Sequence, residues 1–297
     1  MGASVERVTL PSSPTIVDYP SGAVESSGTV LHREVLGDGR AAILLDRTAA
    51  HPVDSAWPDQ GPDRGILVVD GLIHPLLDVI VAATDGHALF VGADIPVRKG
   101  TEGWTFVVAH LVDGSGEIAE GDDVEVSVDE EHRAGLSVGH TACHLASLAL
   151  NRALADAWSK DVATDALGTP NFDALAVDTT SILENGSRDD YRIGKSLRKK
   201  GFSVAALDEL DAIAAVVDAQ LAEWVATGAE VRIERAGDGL TDLREWVCDI
   251  EGGARIPCGG THAVSLSALN GIRVTLERSE LDGAFGLTMR TSVAAAD

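Results

Sequence analysis

Residues 132–159, HRAGLSVGHTACHLASLALNRALADAWS, decide how the chain is read. Leu145, Leu148, Ala149 and Ala153 recur at the spacing of one helix face, which predicts a long amphipathic helix. On that helix His140 and His144 stand at i and i+4, one turn apart on one face, as two imidazoles must to reach one metal ion. Upstream of the acidic run from Asp122 to Glu131 the pattern changes to short β-like runs separated by glycine, proline and aspartate. They are AAILLD (41–46), GILVVDGLI (65–73), HALFVGADI (87–95), WTFVVAHLV (104–112) and VEVSVD (124–129). That spacing predicts a small antiparallel barrel or sandwich. A domain boundary is expected near residue 130, with a β-rich domain over 1–130 and an α+β domain over 131–297. In the latter, LDELDAIAAVVDAQLAEWVATG (207–228) reads as a second long helix, closed by Gly228 and followed by the strand-like EVRIERA. The expected fold class is α+β, a small β-barrel-like domain leading into the domain that carries the histidine helix.

Composition limits what such a chain does. With 45% hydrophobic residues in 297, it can fill a real core, and with only 4% aromatics that core is aliphatic. The sequence has no apolar run of membrane-spanning length, and its start lacks a basic, apolar leader, so a soluble, cytoplasmic protein without membrane contact is expected. Cys143, Cys248 and Cys258 are too few for a disulfide scaffold and read as thiols. A formal charge of -24 repels phosphate backbones and anionic membranes, which excludes general nucleic-acid coating but not a partner gripped by a local basic patch.

More than a hundred residues after HTACH stands CGGTH, a second i, i+4 pair made by Cys258 and His262. Either pair alone has a plain alternative, histidines satisfied within a core; both in one chain are a rare coincidence. Three imidazoles and a thiolate are borderline-soft donors that favour zinc over magnesium or calcium. A catalytic zinc keeps one position open beside three protein ligands. His140, His144 and Cys258 are therefore the firm candidates, with His262 either a displaceable fourth ligand or a group beside the metal. Cys143 sits on another helix face and reads as packing, as does Cys248, which carries no motif.

HTACHL followed by PCGGTH resembles the editing domain shared by alanyl-tRNA synthetases and their AlaX-type free-standing relatives, also related to the threonyl-tRNA synthetase editing domain. Arg133 stands where that family has an arginine ahead of its HTA motif. Asp46, Arg47 and Thr48 match its D-x-T segment, and Gln60, Asp63 and Gly65 match the second half of its glycine-rich Gln segment. The resemblance implies that all four of His140, His144, Cys258 and His262 lie at a Zn2+ ion. It further implies that Thr48 and Gln60 face the bound amino acid, with Asp63 able to orient a neighbour, and that aminoacyl-tRNA is the substrate. The reaction it implies is hydrolysis of the ester between a mischarged amino acid and the terminal ribose. No synthetase catalytic domain is recognisable in this length, so a factor acting in trans is expected.

The departures concern specificity. Between Thr48 and Gln60 the family's aromatic and triple-glycine stretch is replaced by the longer AAHPVDSAWPD, and after CGGTH the chain has Leu266 and Asn270 where the family has threonine and glycine. Serine or glycine on alanine tRNA is the family's substrate; the altered wall admits a threonine-like one, including fluorothreonine on threonine tRNA. The best candidate surface for the tRNA is SRDDYRIGKSLRKKG (187–201), where Arg188, Arg192, Lys195, Arg198, Lys199 and Lys200 outnumber Asp189 and Asp190, with Tyr191 available to stack on a base. Two other readings stand beside the deacylase: a non-catalytic zinc-stabilised RNA-binding module, and a metal-dependent hydrolase of small acyl esters or amides.

Overall fold

The aliphatic runs of the first half form strands buried along nearly their whole length, which places them in the middle of a sheet covered on both faces. The computed structural model describes residues 10–281 and 283–294. The chain divides into two units, the first taking residues through Arg133 together with Arg235–Leu243. Its strands are β1 (Ile16–Val17), β2 (Glu25–Val35), β3 (Arg40–Leu45), β4 (Arg47–Thr48) and β5 (Gly65–Val69). They continue as β6 (Leu72–Pro75), β7 (Asp78–Thr84), β8 (Leu89–Val91), β9 (Thr105–Asp113) and β10 (Asp123–Val128). Eight of them form one antiparallel sheet in the order β6-β5-β10-β2-β3-β9-β7-β8, while β1 pairs with β4 in parallel. A bulge between Val30 and His32 divides β2, so that its first half pairs with β10 and its second half with β3. The extra residue bends the strand, and the sheet curls there.

Along β3, Ala41, Ile43 and Leu45 enter the main core with Leu67, Val81 and Val108, while Ala42 and Leu44 enter a second cluster with Val107 and Leu111. Both faces of these strands are covered, which is why AAILL and FVVAHLV read as unbroken apolar runs. Arg235–Leu243 returns to this unit because Leu240 joins the main core while its amide bonds Thr15 O and Asp238 O accepts from Val17 N–H. GILVVDGLI is not one strand but the β5–β6 hairpin, since Asp70 and Gly71 take φ of 50° and 78° in a two-residue turn. HALFVGADI keeps only β8 as strand and then turns through a short 3-10 segment, Gly92–Asp94.

The second unit comprises Ala134–Glu234 and the chain from Arg244 onward. The division falls within α1 (Glu130–Ala153), whose start is capped by Asp129 accepting from His132 N–H at 3.1 Å. After it come α2 (Phe172–Ala176), β11 (Val177–Leu183), β12 (Gly186–Ile193), α3 (Lys195–Lys199) and α4 (Leu210–Ala226). The remaining strands are β13 (Val231–Arg235), β14 (Arg244–Cys248), β15 (Ala254–Pro257), β16 (Arg273–Leu281) and β17 (Ala284–Ser292). They form an antiparallel sheet, β11-β12-β17-β16, and a smaller one, β13-β14-β15. Leu145, Leu148 and Ala149 of α1 are buried as their spacing predicts, in a core with Leu221, Trp246 and Leu287, and Ala153 packs at its edge. Where α1 crosses the β11–β12 hairpin, a Cβ on Gly139 would lie 2.1 Å from Leu183 O, so only glycine allows this approach one residue before His140. The architecture is therefore mixed α and β with a curled sheet. Among the described residues no helix is long and apolar enough to cross a membrane.

Candidate metal centre

α1 holds His140 and His144 one turn apart, with ring centroids separated by 4.9 Å. Cys258 and His262 follow the end of β15, and the β14–β15 ladder extends into their loop through Cys258 N–H donating to Arg244 O. Two further bonds staple the loop to α1: Ser137 Oγ–H donates to Thr261 Oγ1 at 2.9 Å, and Ala263 N–H to Thr141 Oγ1 at 3.1 Å. Residues 118 apart thereby meet, with Cys258 Sγ 3.4 Å from His140 Nε2 and 3.2 Å from His262 Nε2. The four potential ligand atoms all lie within 4.8 Å of one another.

This arrangement fits a tetrahedral N/S-ligated ion, whose bond lengths of about 2.3 Å to sulfur and about 2.0 Å to nitrogen set ligand atoms roughly 3.5 Å apart. The donor chemistry fits as well. His144 Nε2 is buried without a hydrogen-bond partner, a costly state for an imidazole unless something accepts its lone pair. Burial pushes the His144 pKa down to about 4, so the ring is neutral near pH 7 and able to ligate. Trp246 walls the cluster, its ring 5.1 Å from that of His144.

The other residues singled out in the sequence are distributed between both units. Thr48 is fully buried at the end of β4. His110 Nδ1–H donates to Ile43 O at 3.1 Å, and Thr48 Oγ1–H donates to His110 Nε2 at 2.8 Å. The Thr48 oxygen also accepts from Ala50 N–H at 3.0 Å. One lone pair is left to it. Gln60 is buried, its backbone N–H donating to Asp59 Oδ1, while Asp59 Oδ2 accepts the indole N–H of exposed Trp57. Asp63 pairs bidentately with buried Arg133, which also donates to Ala49 O at 2.8 Å and Ala23 O at 3.1 Å. Asp63 thus clamps both ends of the segment from Ala49 to itself, the replaced AAHPVDSAWPD stretch.

In the basic segment Arg188, Arg192, Lys195, Arg198, Lys199 and Lys200 are all exposed along β12 and α3, with Arg188 paired to Asp190 at 2.8 Å. Tyr191 corrects an expectation: only 1% exposed, with its hydroxyl donating to Asp173 at 2.9 Å, it cannot stack on a base. Alternation along β12 turns it inward between exposed Arg188 and Arg192. Cys143 is buried with Leu136 and Ile182, its S–H donating to Asp189 Oδ1 at 3.4 Å, and burial holds its pKa well above that of a free thiol. Sequence reasoning missed His110, which lies in a continuous apolar strand with no motif around it. It also passed over Thr141 and Trp246.

Along most of its length the chain is similar to an alanyl-tRNA editing protein and to one part of alanine–tRNA ligases. No family model matches it. It is similar to the alanyl-tRNA editing protein AlaX-M of Pyrococcus horikoshii, 26% identical over 242 residues that cover 81% of this chain and 82% of that protein. It is also similar to the alanine–tRNA ligases of Frankia alni, at 28% identity over 257 residues, and of a Parafrankia species, at 30% over 251. Each alignment covers 82% of this chain, which spans only about a quarter of the length of those ligases.

Proposed function

We propose that this chain is a zinc-dependent aminoacyl-tRNA deacylase, hydrolysing the ester between a mischarged amino acid and the terminal ribose of its tRNA. The observation that carries the reading is the convergence of His140, His144, Cys258 and His262 from two remote segments onto one point, in a relative of editing proteins. Those four residues would hold the zinc, with His262, from the half-buried loop, as the exchangeable one. A bound zinc would supply Lewis-acid activation of water or of the ester carbonyl. The chain's own part is to keep the His144 imidazole neutral, to hold the other donors in place and to exclude bulk water with Trp246. The curled sheet serves as a small barrel-like domain over 1–130, and residues 131–297 form the zinc-binding editing domain.

Thr48 and Gln60 are the recognition residues of this proposal, and Asp63 acts by holding their segment through Arg133. Thr48 can meet a substrate hydroxyl only with its remaining lone pair, so it would accept from that hydroxyl rather than donate to it. A threonine-like or serine-like substrate satisfies this; alanine does not. Arg188, Arg192, Lys195, Arg198, Lys199 and Lys200 would contact acceptor-stem phosphates. The test is deacylation of seryl-, glycyl-, alanyl-, threonyl- and fluorothreonyl-tRNA by the zinc-loaded and the chelator-stripped protein. Rapid, chelator-sensitive turnover of a hydroxylated or fluorinated substrate over alanyl-tRNA supports the reading. Zinc bound stoichiometrically with no turnover on any of them would leave the metal a structural one.

A further inference from the structure

Thr141 lies between the two metal-ligand candidates of α1, yet its hydroxyl serves a third. Its oxygen is 2.9 Å from Ser137 O, 3.1 Å from Ala263 N and 3.3 Å from His262 Nδ1, and the side chain is fully buried. A hydroxyl has one proton and two lone pairs. The Ser137 carbonyl can only accept, so it takes the proton; the Ala263 amide can only donate, so it takes one lone pair. The contact with His262 is then a hydrogen bond only if Nδ1 carries the ring proton and donates it to the second lone pair. Nε2, 3.2 Å from Cys258 Sγ, is thereby the unprotonated nitrogen that faces the cluster.

We propose that Thr141 is a positioning residue that selects the Nδ1–H form of His262 and fixes its ring, making it a direct fourth donor to the metal. This rests on the metal site of the proposed function. It also explains the position of a hydroxyl within HTACH: α1 contributes His140 and His144 directly, and through Thr141 it orients the fourth donor from a loop that has no regular structure of its own. Partners of this kind, bonded to the nitrogen that does not ligate, are worth about 10- to 100-fold in metal affinity.

The experiment compares parent, Thr141→Val and Thr141→Ser. Valine keeps the shape and removes the hydroxyl, whereas serine restores it. Zinc dissociation constants are measured by competition with a chromophoric chelator, and the His262 tautomer is read from imidazole nitrogen shifts of the metal-free protein at pH 7.5. The expected result is an Nδ1–H tautomer in the parent and the serine variant. Thr141→Val should bind zinc about 10- to 100-fold more weakly and Thr141→Ser within about threefold of the parent. Equal zinc affinity in Thr141→Val, or an Nε2–H tautomer in the metal-free parent, overturns the assignment. The outcomes separate from those of the function: a parent whose zinc affinity depends on Thr141 but which hydrolyses no aminoacyl-tRNA refutes the deacylase and leaves Thr141 in place. Metal-free melting temperatures identify a variant that is merely misfolded, and in that case the tautomer of the parent decides.

Discussion

Two histidines, fully buried His110 in the first unit and half-buried His144 in the second, differ in a way that separates structure from chemistry. Burial holds both His110 and His144 down to a pKa of about 4, so both are neutral imidazoles at pH 7. His110 has its two nitrogens satisfied inside the fold, donating to Ile43 O and accepting from Thr48. His144 has a buried Nε2 with no partner, and three other N/S donors lie beside it. A buried polar atom left unmatched costs about 1–3 kcal/mol, and this one lies beside a thiol and two imidazoles that could share a metal ion with it. Their pKa values do not distinguish these residues; the accounting of hydrogen bonds does.

The strongest attempt to break this contrast removes one residue from each side. Cys258→Ala or His144→Ala is expected to abolish stoichiometric zinc and to lower deacylation by more than about 100-fold, since three remaining donors hold the ion poorly. His110→Gln is expected to keep zinc at about one per chain. Metal analysis after gel filtration decides both, and a Cys258→Ala protein with full zinc and turnover would show that the cluster is only packed, not ligating.

Acid sharpens the comparison. His110 takes up a proton near pH 6.5 when unfolded but only near 4 when folded. The stability it contributes is therefore complete above pH 6.5 and is lost as pH falls toward 4, by up to about 3 kcal/mol. His144 in the metal-free protein behaves in the same direction. Denaturant unfolding of metal-free protein at pH 7 and pH 4.5 should show the parent losing more stability than His110→Gln. Parallel losses would mean that the ring is not held neutral.

Thr48→Val tests the same bookkeeping from the other partner. It removes the donor to His110 Nε2 and the acceptor of Ala50 N–H, leaving buried groups that cost about 1–3 kcal/mol each. Thr48→Ser should recover most of that. If Thr48 also accepts from the substrate, kcat/KM for a hydroxylated substrate falls further than for alanyl-tRNA, a difference that lost stability alone does not produce. Equal losses on both substrates assign Thr48 wholly to the fold.

How far such contrasts are legible beforehand depends on their distance along the chain. HTACH and CGGTH were readable because each pair repeats at i, i+4 and the donor chemistry is peculiar to metals. The faces of α1 followed from its periodicity. β2 was not read, because its mostly half-buried ESSGTVLHREV has no clean alternation and is broken by a bulge. The β5–β6 turn is hidden because Asp70–Gly71 is flanked closely on both sides by apolar residues, so that the whole stretch reads as one strand-like run. The pairing of Asp63 with Arg133, 70 residues away, leaves no local trace at all. Nor does the return of Leu240 to the first unit, a property of the folded surface and not of its own segment.

The smallest expected effect bears on the exposed counterpart of these buried networks, the basic face of the second unit. Lys199 and Lys200 are exposed, and the bond from Lys160 Nζ to Lys199 at 2.9 Å goes to the backbone carbonyl, so truncating both side chains leaves it intact. Lys199→Ala with Lys200→Ala should therefore leave zinc content and melting temperature as they are. In a chain of charge -24, any anionic partner must approach through a local patch, because the summed field opposes it. Each phosphate contact releases roughly one counterion, so losing two should lower the log–log salt slope of tRNA binding by up to about 2 and raise KM by about tenfold at low ionic strength. The effect should fade above about 0.3 M salt, where screening has already removed most of the attraction. A KM and salt slope equal to the parent's would move the tRNA away from α3, and since zinc and turnover on saturating substrate are untouched, that outcome would leave the metal centre's assignment standing.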